Sequence, residues 1–426
     1  MKNLLKKAVL KVLKFLAKVK INRMKARIIG VSGSVGKTTC KDAIFDVLKE
    51  KYRVLRNEKS YNSEFGLLLT ILHQESGFSS AGQWLQTLAR GFVRAFFVRD
   101  RYDFLVLEMG VDKPGDMDFL TSVVKPDFAL ITAIKPVHMA EGQFASLEDI
   151  YNEKKKIFEN MKEGGLRLVN LDDEYIKKAA DARGALTYGT SENSLYHIAN
   201  VEQGEYGLEF DIAHKNESVH FKTKLFGDYW IYVVAPAAIL GMELGVPAEE
   251  IKKTLSEFEL PPGRLSLIEG KKGTLLLDST YNASPEAVSE ALKVLNFLGE
   301  KRKGRKIFVF GNMNELGALS KELHHKVGEE IPKYADMLIT VGNEAGYAAS
   351  AANKNGMDSG NIFSFKSAHE AAEFYKKEMK KDDTVLVKGS QNKVRLEIFV
   401  KELMAHPETA KEKLVRQDEN WQNIKP

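Results

Sequence analysis

Gly33 and Gly36 stand three residues apart, directly before Lys37, Thr38 and Thr39, and the apolar run Ile28-Ile29-Gly30-Val31 leads into them. A strand, a glycine turn and a helix start, in that order, aim several backbone N–H groups at one point, where an anion satisfies them. Lys37 adds a positive charge on a flexible stem, and Thr38 adds a hydroxyl of the kind that binds Mg²⁺. The stretch Gly33-Ser34-Val35-Gly36-Lys37-Thr38-Thr39 therefore reads as a cradle for the phosphates of ATP. It is a compact form, because position 31, glycine in the longer common pattern, is valine.

Other candidates follow strands. Glu108 closes the apolar run Phe104-Leu105-Val106-Leu107, where a carboxylate can hold Mg²⁺ directly or through water. His138 follows a strand and a Lys135-Pro136 turn; it reads as a loop histidine, and imidazole is not a preferred Mg²⁺ ligand. Lys154, Lys155 and Lys156 open an apparent helix, and three lysines in a row read as a solvated face. Asn62 and Ser63, before Glu64 and Gly66, form a polar turn that could carry substrate contacts. Later in the chain, Asp278 to Pro285 and Gly311 to Gly317 are polar loops at strand ends, with Tyr281, Asn282, Asn314 and Glu315 as binding candidates. Arg264 lies just past a Pro-Pro-Gly junction, within reach of a nucleotide. Lys388 ends a further strand, where an ammonium could meet a carboxylate or phosphate.

These residues need a frame. The apolar runs at 27–31, 104–110 and 128–132 alternate with helical patterns, which argues a largely parallel α/β sheet with ligands at the strand ends. Residues 188–232 alternate as antiparallel strands do, and an alanine-rich helix follows. Pro261-Pro262-Gly263 marks a boundary. Beyond it, runs at 274–277, 306–310, 337–341 and 384–387 predict a second α/β domain. The expected division is a basic amphipathic helix at 1–24, an ATP-binding domain at 25–260, a second domain at 261–407 and a polar tail at 408–426.

A chain of 426 residues exceeds one ordinary core, and 44% hydrophobic with 28% charged residues fits a globular enzyme. The net charge of +5 is mild and partly local. A single cysteine, Cys40, excludes an intrachain disulfide and fits a reducing, cytoplasmic setting. No run has the length of an uninterrupted membrane span. In residues 1–19, Leu5, Val9, Val12, Leu16 and Val19 recur at helical spacing while Lys7, Lys11, Lys14 and Lys18 line another face. That pattern suits an anionic membrane surface at the inner face of the cell membrane, or a helix packed on protein. Residues 82–98 mix Trp84, Leu85, Leu88, Phe92, Val93, Phe96 and Phe97 with arginines, as in a core-facing helix with a solvated edge or a second lipid-touching element. Nucleic-acid binding has no coherent support, since no reading module accompanies the basic residues.

Taken together, the ordered motifs resemble the Mur ligase family over about residues 25–400. The match runs through the phosphate loop, Tyr61-Asn62-Ser63-Glu64-Phe65-Gly66, Leu107-Glu108-Met109-Gly110 with Pro114-Gly115, and Lys125-Pro126-Asp127. His138, the Lys154 helix, Gly263-Arg264, Asp278 to Pro285, Gly311 to Gly317 and Lys388-Gly389-Ser390 complete it. The resemblance implies a central phosphate-loop ATPase domain followed by a Rossmann-like α/β domain. It also implies that Lys37 and the loop bind ATP and that Thr38 and Glu108 serve Mg²⁺, with His138 serving a second Mg²⁺. Lys154 aligns with a lysine often carbamylated in the family. Tyr281 and Asn282 match the adenine-side loop, and Arg264 the junction arginine. Asn312, Ser279 and Ser284 depart from the usual pattern, which bears on fine details of binding.

The implied reaction is ATP-dependent activation of a muramyl-peptide carboxylate as an acyl phosphate. D-alanyl-D-alanine or a similar amine then captures it, with closure of the two domains excluding water. The dipeptide-adding branch fits best. A related ligase for a non-UDP acid, lipid-linked or outside peptidoglycan, and a membrane-associated nucleotide-binding scaffold are the alternatives. Relatives carry an N-terminal domain for the UDP end of the precursor. Residues 1–24 are too few for one, so either a partner chain supplies it or the acceptor differs.

Overall fold

The computed structural model describes residues 2–57, 62–76, 81–137, 142–204, 206–314, 316–391, 394–417 and 421. They fall into two compact units, Met1–Phe258 and Glu259–Pro426.

Unit 1 begins with α1 (Lys2–Met24), then β1 (Arg27–Ser32), α2 (Lys37–Lys49), β2 (Val54–Arg56), α3 (Glu64–Ile71), α4 (Ala81–Phe96) and β3 (Phe104–Glu108). It continues with α5 (Asp116–Thr121), β4 (Phe128–Ile131), α6 (Leu147–Lys154), α7 (Lys156–Glu159), β5 (Leu166–Asn170) and β6 (Ala185–Gly189). It closes with β7 (Tyr196–Gln203), β8 (Leu208–His214), β9 (Glu217–Lys222), α8 (Ile231–Glu243) and α9 (Ala248–Glu257). One sheet runs in the order β2-β3-β1-β4-β5-β6-β7-β8-β9. Its strands are parallel through the β6–β7 pair, and β7, β8 and β9 are antiparallel.

The parallel strands are nearly continuous apolar runs because helices cover both faces. β3 and β4 are buried at every position. β7 and β8 instead alternate buried and part-exposed residues, the signature of a sheet wetted on one side. The register places Val31 beside Glu108 and Ser32 beside Ile131, so the carboxyl ends of β1, β3 and β4 share one edge.

Helix α1 packs into unit 1. Leu13, Leu16 and Ala17 are buried in the core that also holds Leu67, Leu72 and Leu105. The apolar stripe of α1 is thus partly used in packing. α4 does the same with one side, where Gly91 comes close to Leu72 and Leu16.

Unit 2 has the strand order β10 (Ser266–Glu269), β11 (Leu275–Ser279), β15 (Thr384–Lys388), β12 (Lys306–Gly311), β13 (Met337–Val341), β14 (Ile362–Phe365). Only β10 is antiparallel to its neighbour. The two edge strands, β10 and β14, lie outside the runs that the sequence marks as strands, and their burial is interrupted. Helix α10 (Pro285–Arg302) starts with Ser284 accepting from the Ala287 N–H and Pro285 in the first turn, a capped start that the sequence spells out. The stretch read as a polar tail is built into this unit through residue 417. Ala410 and Leu414 are buried, and Arg416 donates to the carbonyls of Thr280 and Tyr281 and to Glu397.

Candidate active site

In unit 1 the turn after β1 is shaped by its glycines. Gly33 has φ 142°, and a Cβ there would sit 2.1 Å from Thr132 Oγ1 and 2.9 Å from the Thr132 nitrogen. Gly36 has φ 81°, and its Cβ would lie 2.6 Å from Tyr229 Oη. Both positions demand a residue without a side chain. The loop is tied to the segment after β4: Ser34 N–H donates to Ala133 O at 2.8 Å, and Ser34 Oγ exchanges 3.0 Å bonds with Lys135. Gly36 brings no side-chain cap to α2, and the helix start is the end at which an anion is stabilised. Lys37 Nζ donates to Gly33 O at 2.8 Å and Ser34 O at 3.2 Å, which holds the ammonium over the loop where a phosphate would compete for it.

Glu108 is buried at the end of β3, and both its carboxylate oxygens are engaged by neutral donors. Thr38 Oγ1 donates to Oε2 and Asn62 Nδ2 to Oε1, each at 2.8 Å. Its backbone is clamped by Asn57, whose Oδ1 accepts from Glu108 N–H at 2.8 Å and whose Nδ2 donates to Glu108 O at 3.1 Å. Asn57 is anchored in turn by buried Lys41, which donates to its carbonyl at 2.6 Å and pairs with Asp42 at 3.1 Å. Among the described residues Glu108 has no cationic partner. A buried carboxylate beside a hydroxyl is the hard oxygen set that Mg²⁺ prefers, so these residues fit that ion.

Lys154, the last residue of α6, is fully buried, and its Nζ has no hydrogen-bond partner among the described residues. Burial holds the amine well below the ordinary lysine range, and Lys37 pushes it further down, against smaller opposing effects of Asp112, Glu153 and Asp116. Its neighbours behave otherwise. Lys156 pairs with Asp118 at 2.6 Å and Glu153 at 2.8 Å, and Lys155 is partly exposed. The expectation of a solvated face fails at Lys154 because α6 turns that position inward. Glu153 fixes the helix by accepting from the Gly115 and Met117 N–H groups, at 3.1 and 2.8 Å, at the start of α5.

Unit 2 gathers its own cluster where β11, β15 and β12 end. Ser279 is paired in register with Lys388, as is Phe310. Lys388 Nζ is buried and donates to Ser279 Oγ at 3.0 Å and Asn282 O at 3.1 Å. Burial first, then Arg264, lower it to about 8. Asp278 is buried and raised to about 6 by desolvation, partly offset by bonds from Thr280; its Oδ2 has no partner among the described residues. The Arg264 guanidinium lies 4.2 Å from the centre of the Tyr281 ring, a flat cationic stack of the kind that accepts an aromatic base. Ser390 Oγ links the loops, donating to Asn282 Oδ1 at 2.8 Å and accepting from the Asn314 N–H at 3.0 Å.

Most sequence candidates thus fall into two groups: the phosphate loop, Asn62, Glu108 and Lys154 in unit 1, and Arg264, Tyr281, Asn282, Asn314 and Lys388 in unit 2. His138 and Glu315 lie outside the described residues. Asn62, expected to touch substrate, donates to Glu108, and Ser63 stands at the N-cap of α3 without a side-chain cap bond. Asn57, Lys41 and Arg416 were not foreseen. Asn57 directly follows β2, and a polar residue at that strand end was the available signal.

Residues 31–241 match the Mur ligase middle domain, and residues 263–391 match the family described as Mur ligase, glutamate ligase domain. The UDP-N-acetylmuramoyl-tripeptide--D-alanyl-D-alanine ligase of Bacillus subtilis is 30% identical over 393 residues, covering 92% of this chain and 79% of that protein. The Escherichia coli protein of the same name is 27% identical over 333 residues, covering 77% of this chain and 67% of that protein. Among solved structures, the MurF ligase of Thermotoga maritima in complex with ADP superposes with a TM-score of 0.73 at 25% identity, covering 92% of this chain and 83% of that one.

Proposed function

The chain belongs to the Mur ligase family of ATP-dependent, ADP-forming ligases, and from that premise we propose that it joins D-alanyl-D-alanine to the terminal carboxylate of a UDP-linked muramyl tripeptide. The observation that carries the reading is local. The phosphate loop, the Thr38–Glu108 pair and the buried amine of Lys154 all belong to one unit whose strand ends share an edge.

In this reading the loop amides and Lys37 bind the β- and γ-phosphates of ATP. An oxygen of the substrate carboxylate attacks the γ-phosphorus, the bond to the bridging oxygen breaks, and ADP leaves an acyl phosphate. Lys37 offsets charge on the transferring group after leaving the carbonyls of Gly33 and Ser34. The amine of the dipeptide then adds to the acyl carbon, loses a proton, and expels phosphate as the amide forms. Thr38 and Glu108 would hold Mg²⁺, which supplies electrostatic neutralisation of the phosphates when bound.

A second Mg²⁺ would be served by His138 and by Lys154 once carbamylated. The unpartnered amine favours that modification: a neutral amine adds to CO₂, forming an N–C bond and releasing one proton, and the carbamate shares a single negative charge between two oxygens. Arg264, Tyr281 and Asn282 are assigned to the adenine, and Asn314, Glu315 and Lys388 to the peptide substrates. The enzyme works in the cytoplasm. A peripheral placement at the inner face of the cell membrane belongs to the same proposal and rests on α1 and α4, not on the catalytic residues.

The test is phosphate release and product mass with ATP and D-alanyl-D-alanine, comparing UDP-linked and lipid-linked muramyl tripeptides. Amide product with the UDP-linked acceptor supports the reading. Product with the lipid-linked acceptor alone replaces the acceptor in it, and product with neither refutes it. Lys37→Ala is expected to abolish ADP formation, and retained turnover would overturn the assignment of the loop.

A further inference from the structure

α1 and α4 lie side by side in unit 1, with the Phe15 and Phe96 ring centres 6.5 Å apart. Each helix spends only part of its apolar surface on the core. Beyond the buried seam, Val12 and Phe15 of α1 are 44% and 58% exposed, and Leu85, Phe92 and Phe97 of the α4 region are 71%, 50% and 73% exposed. Leu85, Phe92 and Phe96 recur at helical spacing on one side of α4, and the Phe92 ring lies 4.8 Å from Phe96 and 6.3 Å from Phe97. The result is a continuous aromatic patch across two helices, not scattered single residues.

The charges that the two helices themselves carry are of one sign, with Asp100 and Glu64 contributed by neighbouring elements beside Arg94, Lys20 and Lys14. Neither helix contains an aspartate or glutamate. Lys7, Lys11 and Lys18 are exposed and form one stripe of α1, and Ala8, Val12 and Phe15 form the stripe beside it; Arg90 of α4 is exposed as well. An occupant of this face must be apolar at its centre and anionic at its rim. A second copy docking by the same face would bring like charges together. A bilayer surface containing anionic lipid meets both requirements.

We propose that the α1–α4 face docks on the anionic lipid surface of the membrane, with Phe15, Leu85, Phe92 and Phe97 at the boundary of headgroups and acyl chains and the α1 lysines on the headgroups. The protein lies on the bilayer in this arrangement; no described helix is long and apolar enough to cross it. The inference rests on the cytoplasmic reading for the choice of leaflet and is otherwise independent of the ligase chemistry.

The experiment is co-sedimentation of the full chain with vesicles of phosphatidylglycerol and, separately, phosphatidylcholine. The expected result is capture by phosphatidylglycerol vesicles that weakens as salt rises from about 0.05 to about 0.5 M. The triple variants Leu85→Gln/Phe92→Gln/Phe97→Gln and Lys7→Glu/Lys11→Glu/Lys18→Glu should each bind at least about tenfold less. Nucleotide binding in lipid-free buffer, unchanged in both variants, shows that they fold. Absence of binding to phosphatidylglycerol vesicles, or equal binding by the variants, overturns the proposal. So does a concentration-dependent dimer that the aromatic variant abolishes. ADP formation by the unaltered chain in solution reports on the ligase reading separately, so either can fail alone.

Discussion

Thr38 and Glu108 stand 70 residues apart in the chain, and the hydroxyl of one donates to the carboxylate of the other at 2.8 Å. The bond joins the first turn of α2 to the end of β3, so residues suited to phosphate and to its counter-ion are held as one piece. Glu108→Gln keeps the shape and removes the charge. ADP formation should fall by about 10²–10³-fold, the usual cost of losing one preorganised electrostatic group, while the variant melts near the parent temperature. Steady-state ADP release across a Mg²⁺ titration checks this.

Asn62 acts one step further out, through Glu108 Oε1. Asn62→Ala leaves the carboxylate in place and frees one oxygen to turn. The Mg²⁺ concentration for half-maximal activity should rise about 10–100-fold, as it does when outer partners of metal ligands are lost. A change confined to the KM for the peptide substrate would show instead that Asn62 binds substrate.

Lys154 separates stability from activity. Its amine is buried without a described partner, and such a group costs about 1–3 kcal/mol. Lys154→Met should therefore melt no lower than the parent, and higher if the lysine is unmodified, while losing ligase activity. Mass spectrometry or ¹³C NMR with labelled bicarbonate tests the carbamate directly. A fully active Lys154→Met enzyme removes the residue from the mechanism.

Gly33 was legible from spacing alone because its role is backbone geometry, and the strand–loop–helix context is written locally. Glu108 was legible as the acid closing an apolar strand. Lys154 was not, because in the run Lys154-Lys155-Lys156 only the rotation of the helix tells the buried amine from the partly exposed ones. Asn57 was hidden for a related reason: its side chain bonds to the backbone N–H and C=O of Glu108, and a backbone partner leaves no pattern of residue types. The edge strands β10 and β14 escaped because half-buried runs of four residues carry little periodicity.

The geometry at Gly33 gives its own prediction. Gly33→Ala must place a methyl 2.1 Å from Thr132 Oγ1 at a φ of 142°. Backbone strain of about 1–3 kcal/mol adds to that clash, so the loop must shift and nucleotide affinity should be lost before the fold is. Calorimetric titration with ADP, beside a melting curve, distinguishes the two losses.

Lys388 carries the pH prediction. Its folded pKa of about 8 lies below the ordinary lysine value of 10.5, chiefly because burial disfavours the ammonium. Between those two values the unfolded chain still binds a proton that the folded chain has released, so stability rises with pH across that window. The gain is roughly 3 kcal/mol if the whole difference is realised. Lys388→Met has no such group. Relative to it, the native chain should gain stability from pH 7 to pH 10, read as the difference between two urea-unfolding series. Function runs the other way: if the charged ammonium binds a carboxylate or phosphate, the KM for the peptide substrate rises as pH passes about 8. Parallel, unchanging urea midpoints for the two proteins would show that Lys388 titrates normally, and the assignment of a buried ammonium at the end of β15 would fall with it.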